Sequence, residues 1–356
     1  MTDSAHSRSN TPPKSAEEPA MSPFLRRPEA AAIISLFAIL AFYAALGGVN
    51  LGTLFGAASW LNFAANLGIV AIPVGILMIG GHIDISIGAM IPAGSMTIAI
   101  LSGYYELPIW VGILGTLSLA AVVGLVNGIL TARTTVPSLI ITLSTLVVMQ
   151  GVVLAGANLL TGGSSVALTS PDWAKSVFGS LIGGSHQVVI FWWMGFAAIL
   201  AFLLHKTRVG NWVFAMGGDL VSARNAGVPT TRLTIVLFML SAMSAAFVGM
   251  CGAIQFNSAQ VSGGMGYIFN AIVSVVVGGV VLTGGFGSVL GIFVGTITFA
   301  IVSQGIYFTD IDRNWSSLII GVTLLLAVAM NESFRKFALR SGPKPRASAQ
   351  AIAVKA

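Results

Sequence analysis

Charge is scarce in this chain. Only 8% of its 356 residues are Asp, Glu, Lys or Arg, against roughly 25% in soluble domains, which excludes an ordinary water-facing globular surface. Ionisable side chains are almost missing from the hydrophobic stretches; Asp84, at the edge of one, is the exception. Proton- and sodium-coupled carriers keep carboxylates or histidines deep in the membrane to bind and release their ion, so their near absence argues against ion coupling. No Gly-Lys pair occurs anywhere, which rules out the G-x-x-x-x-G-K-[ST] phosphate loop. If ATP drives this protein, another subunit binds it. The single cysteine, Cys251, cannot form an internal disulfide and sits in an apolar run, where a packed core position is expected. The four histidines, at 6, 82, 186 and 205, are scattered, so neither metal spacing nor a Ser-His-Asp arrangement emerges. No catalytic residue, cofactor or metal is expected in the chain itself.

Apolar length is abundant instead. Hydrophobic residues make up 56% of the chain, with 42 Gly and a mean hydropathy of +0.92. Stretches of about 17 to 25 apolar residues, the length a helix needs to cross ~30 Å of hydrocarbon, recur from Ala30 to Met330. An alternating barrel pattern is absent, so the spans are helices. They are expected near 30–47, 61–79, 86–103, 109–132, 136–157, 187–205, 232–255, 267–283, 287–306 and 315–332. With the N-terminus inside, all of the 17 Lys and Arg except Lys175 and Arg313 fall on the cytoplasmic side. An odd number of spans would put the C-terminal basic cluster on the wrong side, so ten is preferred to nine or eleven. The fold class is therefore an all-α polytopic membrane protein of about ten transmembrane helices with both termini cytoplasmic. Residues 1–28 read as a disordered cytoplasmic tail, 29–335 as the membrane domain and 336–356 as a basic cytoplasmic tail. The basic residues are spread between spans and form no single patch, so lipid is the partner implied and nucleic acid is not.

Two connections are long: an outer one over 158–186, a candidate docking surface, and an inner one over 206–231. A loop of that length usually carries function, though a passive linker is the plainer alternative. Within the inner loop Asp219 suits an N-cap, Leu220 to Ala226 two short turns, Gly227 a left-handed C′ position, and Pro229 a stop. The resulting helix either docks Leu220, Val221 and Ala223 into a partner's groove or packs on its own protein. In the segment from Gly80 to Gly88, Asp84 is suited to capping the third span, with substrate contact as the alternative. Asn62, Asn66, Asn127, Gln255, Asn257 and Asn270 could line a path for a neutral polar solute or serve as interhelical hydrogen bonds. Glycines at four-residue spacing (Gly48, Gly52 and Gly56; Gly124 and Gly128; Gly287, Gly291 and Gly295) mark close helix packing.

Several of these segments carry a resemblance. Gly81 to Gly88 is similar to the signature G-G-[IV]-D-L-S-V-G, with His82 in place of the second glycine. Asn127-Gly128-Ile129-Leu130, followed by Val136-Pro137 and Ile141-Thr142-Leu143, matches N-G-x-x-x-x-x-x-x-V-x-x-x-I-x-T-L. Ala215 to Gly227 follows A-x-G-G-N-x-x-A-A-x-x-x-G with Asp219 for Asn, and Gly264 to Gly285 follows G-x-G-Y-x-x-x-A-I-x-x-V-V-x-G-G-x-x-x-x-G-G. Together these motifs resemble the permease subunits of bacterial ATP-binding-cassette importers for simple sugars, the ribose, xylose, galactose and autoinducer-2 group, over about residues 30 to 335. The chain departs from the pattern at His82, and after Gly266-Tyr267, where an acidic residue is common and Ile268, Phe269 and Asn270 stand here. The resemblance implies a bacterial inner-membrane permease for a monosaccharide or polyol that performs no bond chemistry. Two copies would form the channel, with nucleotide-binding ATPase subunits holding ATP and Mg on the inside and a soluble sugar-binding protein docking from the periplasm. It also implies that Gly217, Gly218, Asp219, Leu220, Ala223, Arg224 and Gly227 form a coupling segment to the ATPase. His82, Asp84 and Ser86 would belong to a gate or signature loop. A self-contained sugar carrier is the alternative.

Overall fold

The computed structural model describes residues 28–46, 48–309, 312–315, 317–326 and 328–329. The two tails expected over 1–28 and 336–356 therefore lie outside the described residues, apart from Pro28. The chain folds into helices α1 (Pro28–Ala45), α2 (Leu54–Ile79), α3 (Ile87–Ala99), α4 (Ile109–Arg133), α5 (Ser138–Thr161), the single turn α6 (Asp172–Ala174), and α7 (Val189–Lys206). They continue as α8 (Arg208–Gly218), α9 (Leu220–Asn225), α10 (Thr230–Phe256), α11 (Met265–Val277) and α12 (Val289–Gly305). A wide π-turn over Ile100–Tyr104 prolongs α3, and a 3₁₀ turn over Ile306–Phe308 prolongs α12. Among the described residues, seven of these stretches are long and apolar enough to cross a bilayer. Three shorter apolar helices, Ala32–Ala45, Met265–Val277 and Ser317–Leu326, stand where the sequence places the remaining spans. Helices satisfy their own backbone groups, which hydrocarbon requires of anything that crosses it.

Burial ranks the helices. The most apolar window of α2 is 83% buried and those of α10 and α12 are 72% buried, whereas α5 and α7 reach only 28%. Thus α2, α10 and α12 form the centre, while α4, α5 and α7 turn Leu, Val and Phe side chains outward. The glycine spacing seen in the sequence does produce close crossings. A methyl group on Gly124 would sit 2.5 Å from Met239 Cα, and one on Gly128 2.5 Å from Ile235 Cα, so α4 lies directly on the backbone of α10. The α11–α12 crossing is built likewise, with Gly291 against Gly278 O and Gly295 against Ser274 O.

Two connections share one geometry. After α2, Gly81 takes φ +87° and the His82 N–H closes the helix by donating to Leu77 O at 3.1 Å. After α11, Gly279 takes φ +89° and the Val280 N–H donates to Val275 O at 3.2 Å. Only glycine adopts that left-handed C′ conformation without a Cβ penalty, so each Gly-Gly pair stops its helix sharply. The inner connection over 206–231 is more ordered than a loop with one short helix, since it holds both α8 and α9. The outer one contains α6 and three short strands: β1 (Ser165–Ala167), β2 (Leu181–Ile182) and β3 (His186–Gln187). Strand β1 pairs antiparallel with β4 (Ser258–Gln260), which follows α10, and β2 pairs with β3.

Candidate functional site

A cavity of about 570 Å³ with mixed polar and apolar walls opens between the N-terminal half of α2, α3, the C-terminal half of α10 and the end of α12. Its size falls in the range of roughly 300–1,000 Å³ of small-molecule sites. The lining combines amides, hydroxyls and rings with the aliphatic Ile91, Pro92, Val248 and Ala253, and includes no charged side chain. The α2 amides have structural partners: Asn62 Nδ2 donates to Ser185 O at 2.8 Å, Asn62 Oδ1 accepts from the Gln187 N–H at 2.8 Å, and Asn66 Nδ2 donates to Gln187 Oε1 at 2.6 Å. They pin the β2–β3 hairpin over one side of the cavity. Ser59 Oγ donates to Gln304 Oε1 at 3.1 Å, which leaves the Gln304 amide nitrogen for a solute. The Gln255 side chain also lines the cavity and makes no hydrogen bond among the described residues. Phe63, Phe256 and Tyr267 add ring surface.

Just before the start of α3 lies a fully buried carboxylate. Asp84 Oδ1 accepts from the Ser86 N–H (2.9 Å) and Ser86 Oγ (2.6 Å), and Oδ2 accepts from Ser241 Oγ of α10 (2.8 Å). The chain of bonds continues outward. Asn127 Nδ2 of α4 donates to Ser86 Oγ at 3.1 Å, and Thr145 Oγ1 of α5 donates to Asn127 Oδ1 at 2.6 Å. All three partners of the carboxylate are uncharged donors, and buried polar groups survive only when so satisfied. The network ties four elements together. Asp84 does not cap α3 as expected, because its bond goes to Ser86, the residue before the helix; it braces the turn that starts α3. His82 stands beside it, its ring 5.9 Å from that of Phe238 and its Nε2 3.4 Å from Thr234 Oγ1.

At the end of the bundle away from the cavity, on the same side as His82, α9 forms as its caps predict. Asp219 accepts from the Ser222 N–H at 2.5 Å, and that bond, reinforced by the Ser222 side chain, holds the Asp219 carboxyl below its usual range. Gly227 takes φ +84°, and the Val228 N–H closes the helix on Ala223 O at 3.1 Å. Leu220 is 40% exposed and Val221 67%, while Ala223 is 4% exposed. The face available to a partner is therefore Leu220 and Val221; Ala223, expected on that face, packs against its own protein.

Comparison with known proteins identifies the family. Residues 56–328 match the family model described as branched-chain amino acid transport system / permease component. The chain belongs to this permease family. Its relatives include the galactose/methyl galactoside import permease protein MglC of Haemophilus influenzae, 34% identical over 64% of this chain and 68% of that one. The fructose import permease protein FrcC of Rhizobium meliloti is 29% identical over 86% of this chain and 85% of its own. The ribose import permease protein RbsC of Escherichia coli K12 is 27% identical over 85% and 93%. No solved structure gives a significant match. The permease is thus a multi-pass membrane protein with sugar import permeases as relatives, as its motifs indicate.

Of the polar residues singled out in the sequence, the permease brings Asn62, Asn66 and Gln255 to the cavity. Asn127 goes to the Asp84 network. Asn257 ends α10 with φ +54°, its carbonyl accepting from the Leu168 N–H at 2.9 Å. Asn270 lies on α11, where its carbonyl accepts from Ser274 Oγ at 2.6 Å. Cys251 is buried, as expected. Sequence reasoning passed over Gln304, Ser59, Ser95 and Gln187, and met Tyr267 only as part of a motif. Gln304 carried the signal that marked Asn62, an amide inside an apolar span. Gln187 opened an expected span but folds into β3 instead, and only the hairpin turns it toward α2.

Proposed function

We propose that this chain is the membrane-spanning subunit of an ATP-driven importer for a neutral sugar or polyol in a bacterial inner membrane. The observation that carries the reading is an uncharged cavity that sets amides and hydroxyls beside ring and aliphatic surface, in a chain whose relatives are named for galactose, fructose and ribose import. Amides supply paired donors and acceptors to hydroxyl groups, and aromatic faces suit the C–H faces of a sugar ring. With the N-terminus inside and about ten spans, the cavity lies in the outer half of the membrane and α8 and α9 lie at the cytoplasmic surface. The outer hairpin and strands then meet a soluble sugar-binding protein, and a second copy of the chain completes the channel. ATP and Mg bind to partner ATPase subunits, which engage Leu220 and Val221 of α9 as a coupling helix. Few tight contacts to the sugar are needed, because the binding protein supplies the affinity and the permease must let go.

The test is to purify the tagged chain from native membranes and to reconstitute it with the proteins that accompany it. A co-purifying ATPase and ATP-dependent accumulation of a monosaccharide are expected. Sugar flux through the chain alone, unaltered by ATP, would establish a self-contained carrier instead.

A further inference from the structure

Three Gly-Gly pairs from distant parts of the chain meet backbone to backbone at one point. Gly80-Gly81 ends α2, Gly217-Gly218 ends α8 immediately before α9, and Gly284-Gly285 lies between α11 and α12. The Gly285 N–H donates to Ile79 O at 2.8 Å, and Gly217 packs against this bond. A methyl group on Gly217 would lie 1.8 Å from Ile79 O and 2.6 Å from Gly285 N. One on Gly284 would lie 2.9 Å from both Gly217 O and Gly81 Cα, and one on Gly285 would lie 3.0 Å from Gly218 Cα. Met216, buried at 2% exposure, locks the edge of the contact, with its Cε 2.9 Å from the place a methyl on Gly80 would take.

We infer that this glycine junction is the transmission point of the transporter, where displacement of α9 passes to α2 and α12, two of the helices that line the cavity, and that Gly217 is its positioning residue. The inference rests on the importer reading above. Side chains absorb small displacements by changing rotamer, whereas backbone in van der Waals contact across a hydrogen bond cannot, since close-packed interiors transmit strain. Both output arms run to the cavity. At 1.5 Å per residue, Asn66 on α2 and Gln304 on α12 each stand about 20 Å from the junction, so a tilt of a few degrees there moves the lining by about 1–2 Å. Pro73 removes one helical N–H from α2, which concentrates any bend of that arm between the junction and Asn66. The α12 arm has no such break. The Gly-Gly sequences are thus explained by the approach of three backbones, beyond what each turn needs for itself.

The experiment compares Gly217→Ala with wild type in the purified complex, reading sugar imported per ATP hydrolysed. The ATPase should still co-purify through Leu220 and Val221 and hydrolyse ATP within about twofold of wild type, while the transport ratio falls at least tenfold. Gly195→Ala is the control, since a methyl there meets nothing within 4 Å, and it should leave the ratio unchanged. An unchanged ratio in Gly217→Ala, including equal falls in uptake and hydrolysis, overturns the proposal. Should Gly217→Ala fail to insert, hydrogen exchange of residues 281–287 in the wild-type complex decides. A transmission point that moves as one body keeps the Gly285 amide equally protected with and without a non-hydrolysable ATP analogue, and faster exchange in either state overturns it. Absence of any ATPase from the wild-type preparation overturns the importer reading and this proposal with it.

Discussion

Replacing Asp84 and Ser241 singly and together measures how far the buried network holds α3 to α10. The Asp84 side chain is 0% exposed and accepts three hydrogen bonds; bonds to a charged group contribute about 1.5–3 kcal/mol each. The loss in Asp84→Ala is less than their sum. The Ser241 and Ser86 hydroxyls can rotate toward helix carbonyls, and removing the carboxylate also removes its desolvation cost, but the Ser86 N–H cannot turn. One orphaned backbone donor costs about 1–3 kcal/mol, so a net destabilisation of about 2–3 kcal/mol is expected. Ser241→Ala alone should cost about 1.5–3 kcal/mol, and close to nothing when Asp84 is already Ala. The cycle therefore predicts a coupling of about 1.5–3 kcal/mol, against at most ~0.5 kcal/mol for independent sites. Equilibrium unfolding of the purified permease in mixed micelles, followed by helicity, gives all four stabilities. Additive single-variant costs would refute the network as a tie between the helices and would return Asp84 to a purely local turn.

The cavity amides should act mainly on the translocation rate: Gln255→Leu is expected to slow maximal uptake roughly tenfold, the equivalent of about 1.4 kcal/mol, with an unaltered melting profile, and Gln304→Leu to slow it likewise while also losing the Ser59 bond, worth about 0.5–1.5 kcal/mol. Normal maximal uptake in both would remove the cavity from the path. A charge on the exposed side of α9, as in Val221→Asp, should release the ATPase from an intact permease, whereas Ala223→Asp, at a buried position, should lower the yield of folded protein; the two are separated by size-exclusion profiles and co-purification. Because the Asp219 carboxyl is depressed in the folded chain, its capping bond is fully present above the ordinary carboxylate range of about 3.9. It is lost only as pH falls through the lowered value. ATPase association should accordingly be flat across neutral pH, Asp219→Asn should preserve it by keeping an acceptor oxygen, and Asp219→Ala should weaken it. Equal damage from Asn and Ala would show that charge, not the cap, is what matters.

Scarcity of charge, apolar length and glycine spacing determined from the sequence alone that the chain is a helical membrane protein, and roughly where its helices run, because hydrocarbon leaves the backbone no other way to satisfy itself. Local capping chemistry likewise fixed α9, since Asp219 and Gly227 act within one turn of their own positions. Long-range placement was not legible. Asn62 and Asn127 are both amides in apolar helices, yet one faces a cavity and the other a buried carboxylate, and only the packing of α2 against α12, and of α4 on the backbone of α10, separates them. The meeting of Gly81, Gly217 and Gly285 was equally hidden, because a glycine's own sequence context reports its turn but not which distant backbone will occupy the space where its side chain would be.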